Sequence, residues 1–180
     1  MSNRFVEMDC FVLTGSEGNG ERDFEPVGEL TRLENSYRRY AAVFEKVFLV
    51  LKKEQATERY LNYPYVCDNQ PQRASVAGVR AALAQAESEA VFIGSSDISN
   101  FPLHLAVDLV KAYNGELFLG YRHAARPEQA QPLFGVFSKK LFENLSKTDT
   151  QQQDLSELLK KVGRTLPLPP DIPAEKLGLV

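Results

Sequence analysis

Short apolar runs alternate with stretches of helical spacing along almost the whole chain, and few architectures accept that alternation. An apolar run of a few residues, bounded by polar punctuation, has the length of a strand covered on both faces. Apolar residues recurring every three or four positions mark one face of a helix. Where strands and helices alternate, the helix returns the chain to the same end of the sheet, so successive strands pair in parallel. The expected fold class is therefore α/β, a three-layer α/β/α arrangement around a mostly parallel sheet.

The first strand is expected over about Met8 to Leu13, followed by a glycine-rich loop. Leu30, Leu33, Tyr37, Tyr40, Ala41 and Phe44 then predict a helix from about Glu29 to Phe44. The second strand is Val47 to Leu51, with a helix over about Glu54 to Leu61. Tyr65 to Cys67 forms the third strand, and its helix runs from about Val76 to Gln85, where alanines and Gly78 permit close packing on the sheet. The next strand is Val91 to Ile93. Pro102 suits the first turn of a helix reaching Tyr113, and Glu116 to Tyr121 reads as a strand. Gln131 to Phe137 is a further strand, Lys139 to Leu145 a short helix, and Leu155, Leu158, Leu159 and Val162 one face of another. The prolines between 166 and 173 break regular structure, and a last helical turn covers Ala174 to Leu177.

With 180 residues, 43% of them hydrophobic and 25% charged, the expectation is a single domain spanning 1–180. A net charge of −3 and a pI near 5.5 speak against nucleic acid or an anionic membrane as partner. Met1 to Cys10 lacks the apolar centre of a signal peptide, and no window approaches the roughly 18 apolar residues of a membrane span. A cytoplasmic location is expected. Cys10 and Cys67 have no metal-ligand spacing around them and are expected to be buried free thiols; with only two histidines, a multi-histidine metal centre is excluded.

Chemistry is expected where strands end. Asp97 follows the run Val91, Phe92, Ile93 after Gly94 and two serines, and Asp68 directly follows Tyr65, Val66, Cys67. In open α/β sheets ligands sit outside the carboxyl ends of the strands. A carboxylate there suits Mg²⁺, which is held by one or two carboxylates together with substrate phosphates. Asp after a strand is also a common turn former and helix cap, so position alone leaves both readings open. Gly15, Gly18 and Gly20 have the order GxxGxG, which is neither the dinucleotide fingerprint nor a Walker A loop. Backbone N–H groups of such a turn can cradle phosphate. Its charge opposes this, because Glu17, Glu21, Asp23 and Glu25 face only Arg22, and an acidic surface loop is the competing reading.

Taken in order, these segments resemble the molybdenum cofactor guanylyltransferase family, nucleotidyltransferases with the nucleotide-diphospho-sugar transferase fold. Leu13, Thr14, Gly15, Ser16 stands where the family has Leu-Ala-Gly-Gly, and Val66, Cys67, Asp68 where it has an apolar pair and Asp. Ser75, Val76, Ala77, Gly78 matches a Gly-Pro-Leu-Ala-Gly turn in its last four places, and Val91 to Asp97 parallels a strand ending Pro-Cys-Asp, with Ser95 and Ser96 here before the aspartate. Gln131, Pro132, Leu133 opens the later strand as in the family. The resemblance implies transfer of GMP from GTP to the molybdenum (molybdopterin) cofactor with Mg²⁺, and protein partners in cofactor delivery. It implies that Leu13, Thr14 and Gly15 contact the nucleotide, that Asp68 helps to hold it, and that Asp97 binds both nucleotide and Mg²⁺ as the catalytic carboxylate. The chain departs from the pattern where the family has Arg-Met-Gly followed by Asp-Lys: it reads Gly20, Glu21, Arg22, Asp23, Phe24, Glu25, without the phosphate-binding lysine. Lys52, just past the second strand, is a candidate nucleotide-binding cation in its stead, set against the reading of a solvated lysine at a surface helix start. Two further readings follow from the departures: a noncatalytic relative that binds a nucleotide or a protein partner, and a transferase using another nucleotide or acceptor.

Overall fold

A computed structural model describes residues 6–14, 17–69, 75–146 and 154–179. In chain order the strands are β1 (Cys10–Leu13), β2 (Pro26–Val27), β3 (Leu30–Thr31), β4 (Val47–Lys52), β5 (Tyr65–Asp68), β6 (Ala90–Ser95), β7 (Phe118–Arg122), β8 (Ala130–Ser138) and β9 (Arg164–Pro167). The α-helices are α1 (Arg32–Ala41), α2 (Ser75–Gln85), α3 (Leu103–Ala112), α4 (Leu141–Ser146) and α5 (Leu155–Val162).

Seven strands form one sheet in the order β5-β4-β1-β6-β8-β7-β9, and β2 and β3 make a separate small hairpin. β5, β4, β1 and β6 are mutually parallel; β8 alone runs against its neighbours, and β9 pairs in parallel with β7. Alternation of side chains along each strand divides the core into two layers. Cys10, Val12, Leu49, Leu51, Phe92, Phe134 and Val136 meet α1 and α3 on one face. Phe11, Leu13, Val50, Val91, Ile93 and Phe137 meet α2, α4 and α5 on the other. The three-layer α/β/α expectation holds.

Differences from the expected elements have local causes. Thr31 accepts from the Glu34 N–H while the Glu34 carboxylate accepts from the Thr31 N–H, a reciprocal cap that starts α1 at Arg32, three residues after the expected Glu29. The helix expected over Glu54 to Leu61 is instead two 3₁₀ turns, Lys53–Gln55 and Glu58–Tyr60. The Gln55 side chain turns back to accept the Lys52 N–H, and Thr57 is extended, so the helix cannot propagate. The glycine-rich segment contains a 3₁₀ helix, Glu17–Phe24. In the proline-rich tail, Leu166 and Pro167 belong to β9, where an edge position spares the proline N–H that a central strand would need. Cys10 is buried as expected, whereas Cys67 is exposed on edge strand β5, so only one of the thiols is sequestered.

Candidate active site at the ends of the parallel strands

Register places the candidate residues on one edge. Leu13 pairs with Val50 on one side and with Ser95 on the other, and Val50 pairs with Val66. Two residues beyond that row stand Lys52, Asp68 and Asp97. Thr14 is one residue beyond it, while Gly15 lies outside the described residues. The strand order turns back at β1 and β6: β1 leads to β4 on one side, and β6 leads on to β7 on the other. That is the topological switch point at which α/β sheets open a crevice. Asp97 and Thr14 follow the two strands that flank it.

Lys52 and Asp68 close over the end of their strand pair. Their Nζ and Oδ2 lie 2.5 Å apart, and the side chains are only 10% and 5% exposed. The solvated-lysine reading of Lys52 is therefore corrected: the first residues after β4 fold into a tight 3₁₀ turn over it, and its ammonium finds a carboxylate instead of water. Beside it, Gln55 Oε1 accepts the Lys52 N–H at 2.8 Å and lies 3.4 Å from the Thr14 hydroxyl that donates to it. Gln55 thus ties the loop after β1 to the end of β4.

Asp97 presents an exposed carboxylate, unlike the aspartates around it. Its N–H donates to Ser95 Oγ at 3.2 Å, and Ser95 Oγ is 3.5 Å from its Oδ2. The preceding residue turns the other way: the buried Ser96 hydroxyl donates to Asp23 Oδ1 at 2.5 Å, and Asp23 is 1% exposed. The acidic-loop reading is corrected at this position, since Asp23 points into the protein and not toward a ligand. Glu25 is exposed but sits 3.4 Å from Arg32. Helix α1 holds the same stretch from behind. Tyr40 OH donates to the Ser95 carbonyl at 3.2 Å, Ser36 Oγ to the Ser96 carbonyl at 3.0 Å, and Arg39 to the Phe101 carbonyl through Nε and Nη2. Close passage of Tyr40 requires a residue without Cβ at Gly94, where an added Cβ would lie 2.2 Å from the Tyr40 hydroxyl.

In the sequence Asp23 reads only as a loop charge and Ser96 only as a departure before Asp97, and Gln55 does not stand out at all. Ser96 had a local signal, a polar pair directly before an aspartate at a strand end. Asp23 and Gln55 had none, because their partners come from distant parts of the chain.

Comparison with known proteins decides the family. Residues 14–166 match the model of the MobA-like NTP transferase domain. The chain belongs to that family. As such it is a nucleotidyltransferase domain, and the match takes in every strand from β2 to β8. It is 28% identical over 159 residues to a protein of Aquifex aeolicus described as a probable molybdenum cofactor guanylyltransferase, covering 86% of this chain and 76% of that one. A crystal structure of an Aquifex aeolicus protein superposes with a TM-score of 0.73 at 25% identity, over 97% of this chain and 92% of the other. Molybdopterin-guanine dinucleotide biosynthesis protein A from Archaeoglobus fulgidus shares the fold, with a TM-score of 0.68 at 19% identity over 89% and 83% of the two chains. Among the described residues of this transferase domain, no helix is long and apolar enough to cross a membrane.

Proposed function

We propose that this domain, as one unit over 1–180, transfers GMP from GTP to the molybdenum (molybdopterin) cofactor with Mg²⁺. The observation that carries the reading is the exposed Asp97 carboxylate at the switch point of a nucleotidyltransferase sheet. The similarity to the Aquifex protein described as a probable molybdenum cofactor guanylyltransferase supports this choice of acceptor and nucleotide.

The donor set suits Mg²⁺. Among the described residues, no group of three or more His, Cys, Asp or Glu side chains forms a protein cage for a metal. A single exposed carboxylate beside a phosphate-binding loop is the hard-oxygen arrangement Mg²⁺ uses when substrate phosphates complete its shell. The metal, when bound at Asp97, neutralises charge on the phosphates. Leu13, Thr14 and Gly15 contact the nucleotide in this reading. Asp68 orients the nucleoside from the edge strand β5, with Lys52 holding that carboxylate in one position. A terminal phosphate oxygen of the cofactor attacks the α-phosphorus in line; the new P–O bond forms as the bond to the β-phosphate oxygen breaks, and pyrophosphate leaves with the electron pair. Positioning and charge stabilisation account for the catalysis, and no covalent nucleophile on the protein is required.

Calorimetric titration with GTP, with and without Mg²⁺, and with the other nucleoside triphosphates in parallel, tests the reading. Metal-dependent binding of GTP in preference to ATP, CTP and UTP is expected. Equal binding of all four, or binding indifferent to Mg²⁺, overturns it.

A further inference from the structure

We propose that Asp23 and Ser96 are positioning residues that hold the Asp97 carboxylate in register with the glycine-rich segment. The proposal rests on Asp97 as the metal-binding carboxylate.

An exposed carboxylate is located only as well as its backbone. The backbone around Asp97 is fixed from two sides. From α1, Tyr40, Ser36 and Arg39 take the carbonyls of Ser95, Ser96 and Phe101; from the sheet, the Ser96 N–H donates to the Leu13 carbonyl at 2.9 Å. Both fix Asp97 to the scaffold. Neither involves the 3₁₀ helix Glu17–Phe24 that lies between the first strand and α1. The Ser96 to Asp23 bond does, joining residues 73 apart in sequence. Ser96 has no solvent exposure and Asp23 almost none, so water cannot take the place of either partner once one is removed. A hydrogen bond to a charged acceptor is stronger than a neutral one, and its loss in a buried site leaves desolvated groups behind.

The Ser96 side chain is buried against Asp23, whereas the next residue, Asp97, is exposed. Rotation of the peptide between them swings the carboxylate. That peptide is held at the Ser96 carbonyl by Ser36 and at the Asp97 N–H by Ser95, and the clasp adds the tie that fixes it relative to the 3₁₀ helix Glu17–Phe24. Neither residue touches substrate in this role; both act through Asp97.

The test is a Mg²⁺ titration at fixed, subsaturating GTP, reading bound nucleotide, on S96A, D23A, D23N and D97N, with GTP affinity in the absence of metal and the melting temperature recorded for each. S96A and D23A are expected to raise the half-saturating Mg²⁺ concentration by about tenfold while metal-free GTP affinity stays at the parent value. D23N keeps an acceptor oxygen for the Ser96 hydroxyl and is expected to fall between them and the parent. It also stands in if the alanine variants fail to fold. A purely structural role lowers the melting temperature and the folded fraction but leaves the Mg²⁺ midpoint of the folded protein unchanged. Parental midpoints in S96A, D23A and D23N beside a shifted D97N overturn the positioning role and leave Asp97 as the metal site. A parental midpoint in D97N overturns both.

Discussion

Taking away the ammonium of Lys52 leaves the buried Asp68 carboxylate without its cation, and that asymmetry separates the two aspartates at this edge. Breaking a buried pair from one side costs about 3–5 kcal/mol, whereas replacing both partners by apolar residues of similar size is often neutral. K52M is thus expected to lose about that much stability in urea denaturation, and K52M/D68L to regain most of it. Asp97 is exposed, so D97N is expected to stay within about 0.5 kcal/mol of the parent while losing metal-dependent GTP binding in calorimetry. An aspartate serving only as a cap would leave both stability and metal-dependent binding at the parent level, because Asn caps about as well. The thiols give a third contrast. Burial, with the Asp9 carboxylate adding to it, pushes the Cys10 thiol well above its ordinary range, and Cys67 is open to solvent. An aromatic disulfide reagent should therefore titrate one thiol in the native protein and two in denaturant. At this scale the sequence showed which aspartates end strands, since an apolar run followed by Asp is a local pattern. It could not show that Lys52 is buried against Asp68 or that Asp23 faces inward, because those facts depend on partners 16 and 73 residues away.

Helix α1 is the element on which the candidate site leans, and its N-terminus is stabilised by a charge network that titrates. Burial by itself would raise the Glu34 carboxyl, but Arg59 at 2.5 Å, together with the Thr31 N–H and hydroxyl, holds it down at about 2. A group depressed on folding contributes its stability above its unfolded value and loses it as pH falls through the folded one. The protein should keep this contribution at pH 5 and above and lose it between about 4.5 and 2, by an amount on the order of 2–3 kcal/mol after allowing for the half-exposed Arg59. In E34Q the acid limb of the urea-midpoint profile should flatten over that window. The opposite end of α1 is sensitive to volume. G94A drives a methyl group into Tyr40, which has no exposure and little room to move, so a loss of about 1–3 kcal/mol is expected. Strands and long helices were legible because periodicity is a property of neighbours. The 3₁₀ turns after β4 were not, since the Gln55 side chain competes with the helix through a hydrogen bond that periodicity does not register. Nor was β9, whose Pro167 reads as a breaker until a sheet edge is available to accept it.

The whole molecule carries a net charge of −3 and is assigned a polyanionic substrate, so its field opposes the ligand before any contact is made. Cations near the strand ends do little to reverse this. Lys52 is committed to Asp68, and Arg32 lies beside Glu25. After Asp23 stands Phe24, whose ring packs edge-on against Tyr60 at 5.5 Å and lies partly buried against the core. Placing a lysine there would sacrifice packing, and reversing Glu25 would set two cations together. Glu21 is the better position, because it is exposed and belongs to the same segment as the glycines. E21K changes the local charge by two units without disturbing a buried contact. At a Debye length of about 8 Å, a charge on this segment still acts on a triphosphate in the crevice, and at about 1 M salt, where the length is about 3 Å, it no longer does. E21K is expected to bind Mg-GTP on the order of fivefold more tightly than the parent at low ionic strength, and no more tightly at high salt. Calorimetric titration of both proteins across that salt range measures it. A gain that persists at high salt would mean that the new lysine makes a direct contact. No gain at any salt would place Glu21 away from the triphosphate and remove the electrostatic argument for weak binding by this chain.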